Sequence, residues 1–168
     1  MLYLLLRMWV KMGEYYQGIY KISNRKKYIG DDNPIYKSSI ERRAFYYFDH
    51  NKNILRWGYE ITQIPYFFTV DQRWHNYIPD AYVEVRDSSG KMKNYIVEIK
   101  PHNQNVWDIN GNVVMPKPPK RKTAKSWQNY QNRLFEATKN VCKWEAAKKY
   151  CIERGWEFKI ITEKNLGI

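Results

Sequence analysis

Two alternating runs joined by a turn constrain this chain more than any other stretch. Ala81-Tyr82-Val83-Glu84-Val85 alternates, Asp87-Ser88-Ser89-Gly90 carries turn chemistry, and Tyr95-Ile96-Val97-Glu98-Ile99 returns. Such a pattern folds as an antiparallel β-hairpin. A turn centred on Ser88-Ser89 sets a register in which Asp80, where one strand starts, lies near Glu98, where the other ends. Glu98 and Lys100 are two apart and share a face. Two carboxylates and an ammonium thus gather at one end of a sheet. An Asp/Glu pair that close repels and lifts one pKa unless a cation sits between them. Mg²⁺ is the natural hard cation for oxygen ligands, with Mn²⁺ the expected substitute and Lys100 beside it as a point charge. Metal and lysine together can activate a water and neutralise a phosphate under attack.

The rest of the chain is read around this hairpin. The length of 168 residues suits one compact domain, with residues 1–37 as a partly irregular N-terminal arm and 38–168 as the main domain. Ser38-Ser39-Ile40-Glu41 has the form of a capping box, followed by Ile40, Ala44 and Phe48 at helical spacing up to Asp49-His50-Asn51. Ile61 to Val70, with Pro65 marking an edge or bulge, and Trp74 to Ile78 read as further strands. Residues 101–125 read as a long loop ending in the basic run Lys117, Lys120, Arg121, Lys122 and Lys125. Ser126 to Arg154 is helical, with Thr138-Lys139-Asn140 as a candidate break and Gly155 as a stop. Trp156 to Ile161 is a last strand that returns by a helical crossover and so lies parallel to a neighbour. The predicted class is a mixed α/β (α+β) fold in the order helix, three or four antiparallel strands, helix, strand.

Lys and Arg total 29 against 17 Asp and Glu, a formal charge of +12, which points to a polyanionic partner. Aromatic residues make up 17% of the chain, which excludes a disordered basic tail. Cys142 and Cys151 lie on one predicted helix, about 13 Å apart, too far for a disulfide, and read as free thiols. His50, His75 and His102 show no zinc-ligand spacing. The apolar start is interrupted by Arg7 and Lys11 and falls short of the roughly 20 residues that span a bilayer, so a soluble, cytoplasmic chain with no membrane partner is expected, with Met8 or Met12 as alternative starts.

Pro79-Asp80 with Glu98-Ile99-Lys100 resembles the signature of the PD-(D/E)XK nucleases, and Glu41 on a preceding helix resembles their TnsA-like branch. Further ordered matches, among them Tyr28-Ile29-Gly30-Asp31, Val97-Glu98-Ile99-Lys100-Pro101 and Gly155-Trp156-Glu157-Phe158, are similar to the head completion nucleases of T-even-like tailed phages. The resemblance implies a restriction-endonuclease-like core and a Mg²⁺-dependent endonuclease that processes packaged double-stranded DNA ends. Phage head, portal or neck proteins would be its partners, and the host cytoplasm or the virion its location. It makes Glu41, Asp80 and Glu98 metal ligands, the Ile99 carbonyl a further ligand and Lys100 the catalytic lysine.

DNA contact is expected from Lys117, Lys120, Arg121, Lys122 and Lys125, flanked by Trp107 and Trp127, and from Arg42 and Arg43. Asn140 and Lys143 are candidates to border the site. Plainer readings stand beside these: Glu41 as a helix cap only, Glu98 and Lys100 as a cross-strand charge pair, and the basic run as solvated surface. The rival functions are a catalytically silent DNA-binding virion protein and a TnsA-like transposon or repair endonuclease.

Overall fold

The computed structural model describes residues 17–108, 110–121 and 123–166. The apolar start with its candidate initiators Met8 and Met12, and Lys122 of the basic run, lie outside them. A four-stranded sheet forms the middle layer. Its strands are β3 (Ile54–Tyr59), β6 (Ala81–Arg86), β7 (Met92–Ile99) and β8 (Glu157–Ile161), in the spatial order 3-6-7-8. The first two pairings are antiparallel, and β8 lies parallel to β7 as the crossover requires. The hairpin register sets Ala81 opposite Val97 and Arg86 opposite Met92. Two smaller pairs flank the sheet: β1 (Gly18–Ile19) with β2 (Ile35–Tyr36), and β4 (Ile64–Phe68) with β5 (Arg73–Tyr77).

Strand alternation divides the core in two. Val97 and Ile99 of β7, with Ala81 and Val83 of β6, pack toward α1 (Ser39–His50), together with Ala44, Phe45 and Phe48. Trp57 of β3 is fully buried at the centre of that layer, its ring 5.5 Å from Phe45, 5.7 Å from Phe48 and 4.7 Å from Tyr28. On the opposite face Ile96 of β7 meets α2 (Ala124–Ile152) through Ala137, Trp144, Ala147 and Cys151, with β4 and β5 closing the layer by Ile64, Tyr66, Phe68 and Tyr77. Cys142 and Cys151 are both free thiols.

Three expectations are corrected. The predicted break at Thr138 is absent, because its hydroxyl donates to the Leu134 carbonyl at 2.9 Å and the apolar stripe runs on through Trp144. The helix also starts earlier than Ser126: Thr123 is the N-cap, in a reciprocal capping box with Ser126, so Lys125 belongs to the first turn of α2 rather than to the loop. Trp107 turns inward rather than standing beside the basic run. It packs 5.4 Å from Trp144 and 5.9 Å from Phe158, and Lys148 stands 3.6 Å over its ring.

The described part of the arm is fastened to the α1 layer. Tyr20 and Tyr36 are buried there. Asp49, 2% exposed at the end of α1, accepts from the Tyr20 hydroxyl at 3.1 Å and from the backbone N–H groups of Ser23 and Asn24 at 2.8 and 3.0 Å. Lys27 binds in the other direction, donating to the Phe48, Asp49 and Asn51 carbonyls that end the helix. Asp49→Ala strands three donors at once and should cost about 2–4 kcal/mol of stability in urea unfolding. A loss below about 0.5 kcal/mol, the range of an ordinary surface substitution, would show that apolar packing alone holds the arm.

Candidate active site

The β6–β7 register delivers the predicted residues to one end of the sheet. Pro79 is fully buried and leads into Asp80, whose Oδ2 accepts from the Ile99 N–H at 2.6 Å. Glu98, 5% exposed, points to the α2 side with Ile96. Its Oε2 accepts from the Tyr77 hydroxyl at 2.6 Å, and Lys100 Nζ lies 3.2 Å from Oε1. The Lys100 backbone N–H continues the parallel pairing by donating to the Ile161 carbonyl at 2.9 Å, which holds the lysine at the sheet's edge.

Electrostatics follow from this crowding. The packing around the Asp80 carboxyl, then the Glu98 charge and, more weakly, that of Glu41, push its pKa well above the usual carboxylate range; the Ile99 N–H and Lys100 only partly offset this. Burial first and the Glu98 charge second raise the Tyr77 phenol, so it stays a donor to Glu98. Two hard oxygen donors that cannot comfortably share negative charge are a fit for a divalent cation. Mg²⁺ in particular is commonly held by one or two carboxylates, with phosphate and water completing its shell. Among the described residues no three His, Cys, Asp or Glu side chains converge on one point.

Glu41 reaches the group electrostatically but commits its carboxylate to the start of α1. Oε2 accepts from the Lys37 N–H at 2.7 Å, and Oε1 from the Ser38 hydroxyl at 3.0 Å. Lys37 also pairs with Glu60 at 2.8 Å, and the Glu60 N–H donates to the Asp80 carbonyl at 3.1 Å. Glu60 adopts φ +50, a strained left-handed conformation for a residue with a side chain, and these two bonds hold it there. Lys37 and Glu60 therefore tie the α1 start to the β6 start.

Two further groups border the site. Tyr77 escaped the sequence reading, although alternation along β5 already turned it inward. Lys143 of α2 stands 5.5 Å from the Tyr77 ring centre; burial lowers its pKa, and the Glu98 charge pulls it back up. His75 is structural, bonded to Asp71 at 2.7 Å and stacked on Tyr66. Arg42 and Arg43 lie exposed on α1, with Arg42 over the Tyr36 ring. Lys117, Lys120, Arg121 and Lys125 lie at and just before the start of α2, on the surface of the molecule.

The family profile described as TnsA-like endonuclease N terminal matches residues 51–163, which hold Asp80, Glu98 and Lys100. The chain belongs to the TnsA-like endonuclease family. This membership agrees with the mixed sheet between two helix layers, as in a restriction-endonuclease-like fold. Among curated relatives, the head completion nuclease of Enterobacteria phage T4 is 32% identical over 152 residues, spanning 90% of this chain and 93% of that protein. Within this TnsA-like endonuclease no helix among the described residues is long and apolar enough to cross a membrane.

The raised Asp80 pKa makes a stability prediction. Over the interval between the unfolded and folded values the native state holds a proton that the unfolded chain has released. The stability tied to Asp80 is therefore greatest at low pH and falls as pH rises from about 3.9 through the raised folded value. Asp80→Asn should flatten that fall and melt above the parent at pH 8. Parent and variant with parallel pH profiles would mean that neither burial nor the Glu98 charge raises the Asp80 carboxyl.

Proposed function

We propose that this protein is a Mg²⁺-dependent DNA endonuclease that hydrolyses phosphodiester bonds during phage head completion, processing the ends of packaged double-stranded DNA. The observation that carries the reading is Asp80, Glu98 and Lys100 meeting at one end of the sheet, inside the segment that matches a TnsA-like endonuclease. The relative named a head completion nuclease supports the assembly role and phage head proteins as partners.

In this reading Asp80 and Glu98 hold the cation, with the Ile99 carbonyl as a further ligand and Glu41 within electrostatic reach as a third carboxylate. When bound, Mg²⁺ supplies activation of a water and neutralisation of phosphate charge. The chain's own groups do the positioning. The Ile99 N–H fixes one Asp80 oxygen and the Tyr77 hydroxyl fixes one Glu98 oxygen, so the carboxylates meet substrate already oriented. Lys100 Nζ, beside Glu98, stabilises the charge that develops on the phosphate oxygens under attack. Lys117, Lys120, Arg121, Lys122 and Lys125, with Arg42 and Arg43, bind the DNA backbone and set affinity rather than chemistry.

A cleavage assay on linear and circular duplexes tests this. Chelation of divalent ions, Asp80→Ala and Glu98→Ala should each abolish cutting. Lys100→Ala should lower turnover by about 10²–10³-fold while leaving DNA affinity nearly intact. Tyr77→Phe should cost roughly 10- to 100-fold, the scale of losing an orienting partner. Cutting at the parental rate by both carboxylate variants would move the chemistry elsewhere.

The basic run is tested separately by salt titration. Replacing Lys120, Arg121 and Lys122 with Ala should weaken binding alike on all sequences. It should also lower the slope of log affinity against log salt by about 0.9 for each phosphate no longer neutralised. An unchanged slope would leave that run a solvated surface.

A further inference from the structure

The first turns of α2 expose most of their side chains, and Phe135, 5.3 Å from Phe68, is where the helix first meets a core ring. Residues 124–136 are mostly exposed, and the buried positions of the helix begin at Ala137. Between Asp108 and Glu136 the sequence contains no acid, but six cations: Lys117, Lys120, Arg121, Lys122, Lys125 and Arg133. A helix of this length buries an apolar face or meets a partner, and this end carries Gln128, Asn129, Gln131 and Asn132 on exposed positions.

Helical spacing links that end to the active site. Lys125, Asn129, Asn132, Glu136, Lys139 and Lys143 follow one another at alternating steps of four and three, so they form one stripe. It runs about 100° round the helix from the buried Ala137 and Trp144 and about 40° from the buried Ala147, so its inner end borders the packed face. Its inner end is the Lys143 that stands over Tyr77 and feels the charges of Glu98 and Lys100. The single acid, Glu136, lies two turns before Lys143, and its charge favours the protonated form of that lysine. Lys125 and Lys143 are separated by about 27 Å along the axis.

We propose that this stripe is a track for duplex DNA, which guides one phosphate backbone along α2 from its exposed first turns to the Asp80–Glu98 carboxylates. The proposal deepens the nuclease reading and rests on it for what the track delivers. Amides suit the outer part because they donate to phosphate oxygens and also reach base edges, and the lysines neutralise phosphates nearer the cut. A track of about 27 Å covers about eight base pairs, so shorter duplexes cannot fill it and should bind with a shallower salt slope.

Binding of the full-length chain to a fluorescent duplex, measured in chelator so that nothing is cut, tests the track. Asn129→Asp with Asn132→Asp adds two negative charges at almost constant shape and should weaken affinity by about tenfold or more, since like charges are brought together. Asn129→Lys with Asn132→Lys should instead raise affinity and steepen the salt slope by about 0.9 for each further phosphate neutralised, which misfolding cannot produce. Lys91→Glu, in the exposed hairpin turn at the far end of the sheet, should stay within about twofold because it lies beyond screening distance. If both stripe variants bind like Lys91→Glu, the track is overturned. If they diverge as expected while the parent cuts nothing on adding Mg²⁺, the track stands and the nuclease reading falls.

Discussion

The hydrogen bond from the Ile99 N–H to Asp80 is the interaction on which the rest of the site depends. It requires β6 and β7 to pair in one register, with Ala81 opposite Val97. A slip of one residue would turn Glu98 into the α1 layer and Val97 out toward Tyr77. The core enforces the register. Val97 and Ile99 fill the layer around Trp57, and Ile96 fills the layer around Trp144, so each face rejects the alternative. Packing of two unrelated cores is thus what brings two carboxylates together against their mutual repulsion.

That repulsion is held in the folded state, and the surroundings are built to bear it. Tyr77 satisfies Glu98 and the Ile99 backbone satisfies Asp80, while Lys100 brings a counter-charge at the edge. Glu60 holds a strained backbone next to Asp80 and is itself held by Lys37. The carboxylate oxygens are therefore already oriented by the fold, and Lys100 offsets part of the charge that crowds there.

Much of this was legible in the sequence because its causes are local. Alternation and a turn define β6 and β7, a Ser-x-x-Glu box starts α1, and a helical crossover makes β8 parallel. What was hidden depends on distant parts of the chain. Tyr77 bonds a carboxylate 21 residues away because β4 and β5 pack under α2, and no local pattern announces that bond. The pairing of β3 with β6 carries a register irregularity between Ile54 and Arg56, and it is set by Trp57 seeking the α1 layer. Thr138 looked like a helix break by its branching, yet its hydroxyl found the carbonyl one turn back. Lys143 was half legible: the sequence marks it as a neighbour of the site, but its seat over Tyr77 needs the packing of β5 against α2.

The exposed first turns of α2 have a consequence for how such a protein can change. They follow a long loop and precede every deeply buried residue of the helix, so the sheet and its carboxylates do not depend on how far they extend. Adding or deleting two turns there would move the tip by about 11 Å and return the same face. The reach of the molecule is thereby an independent parameter, set apart from the packing that holds the carboxylate end of the sheet.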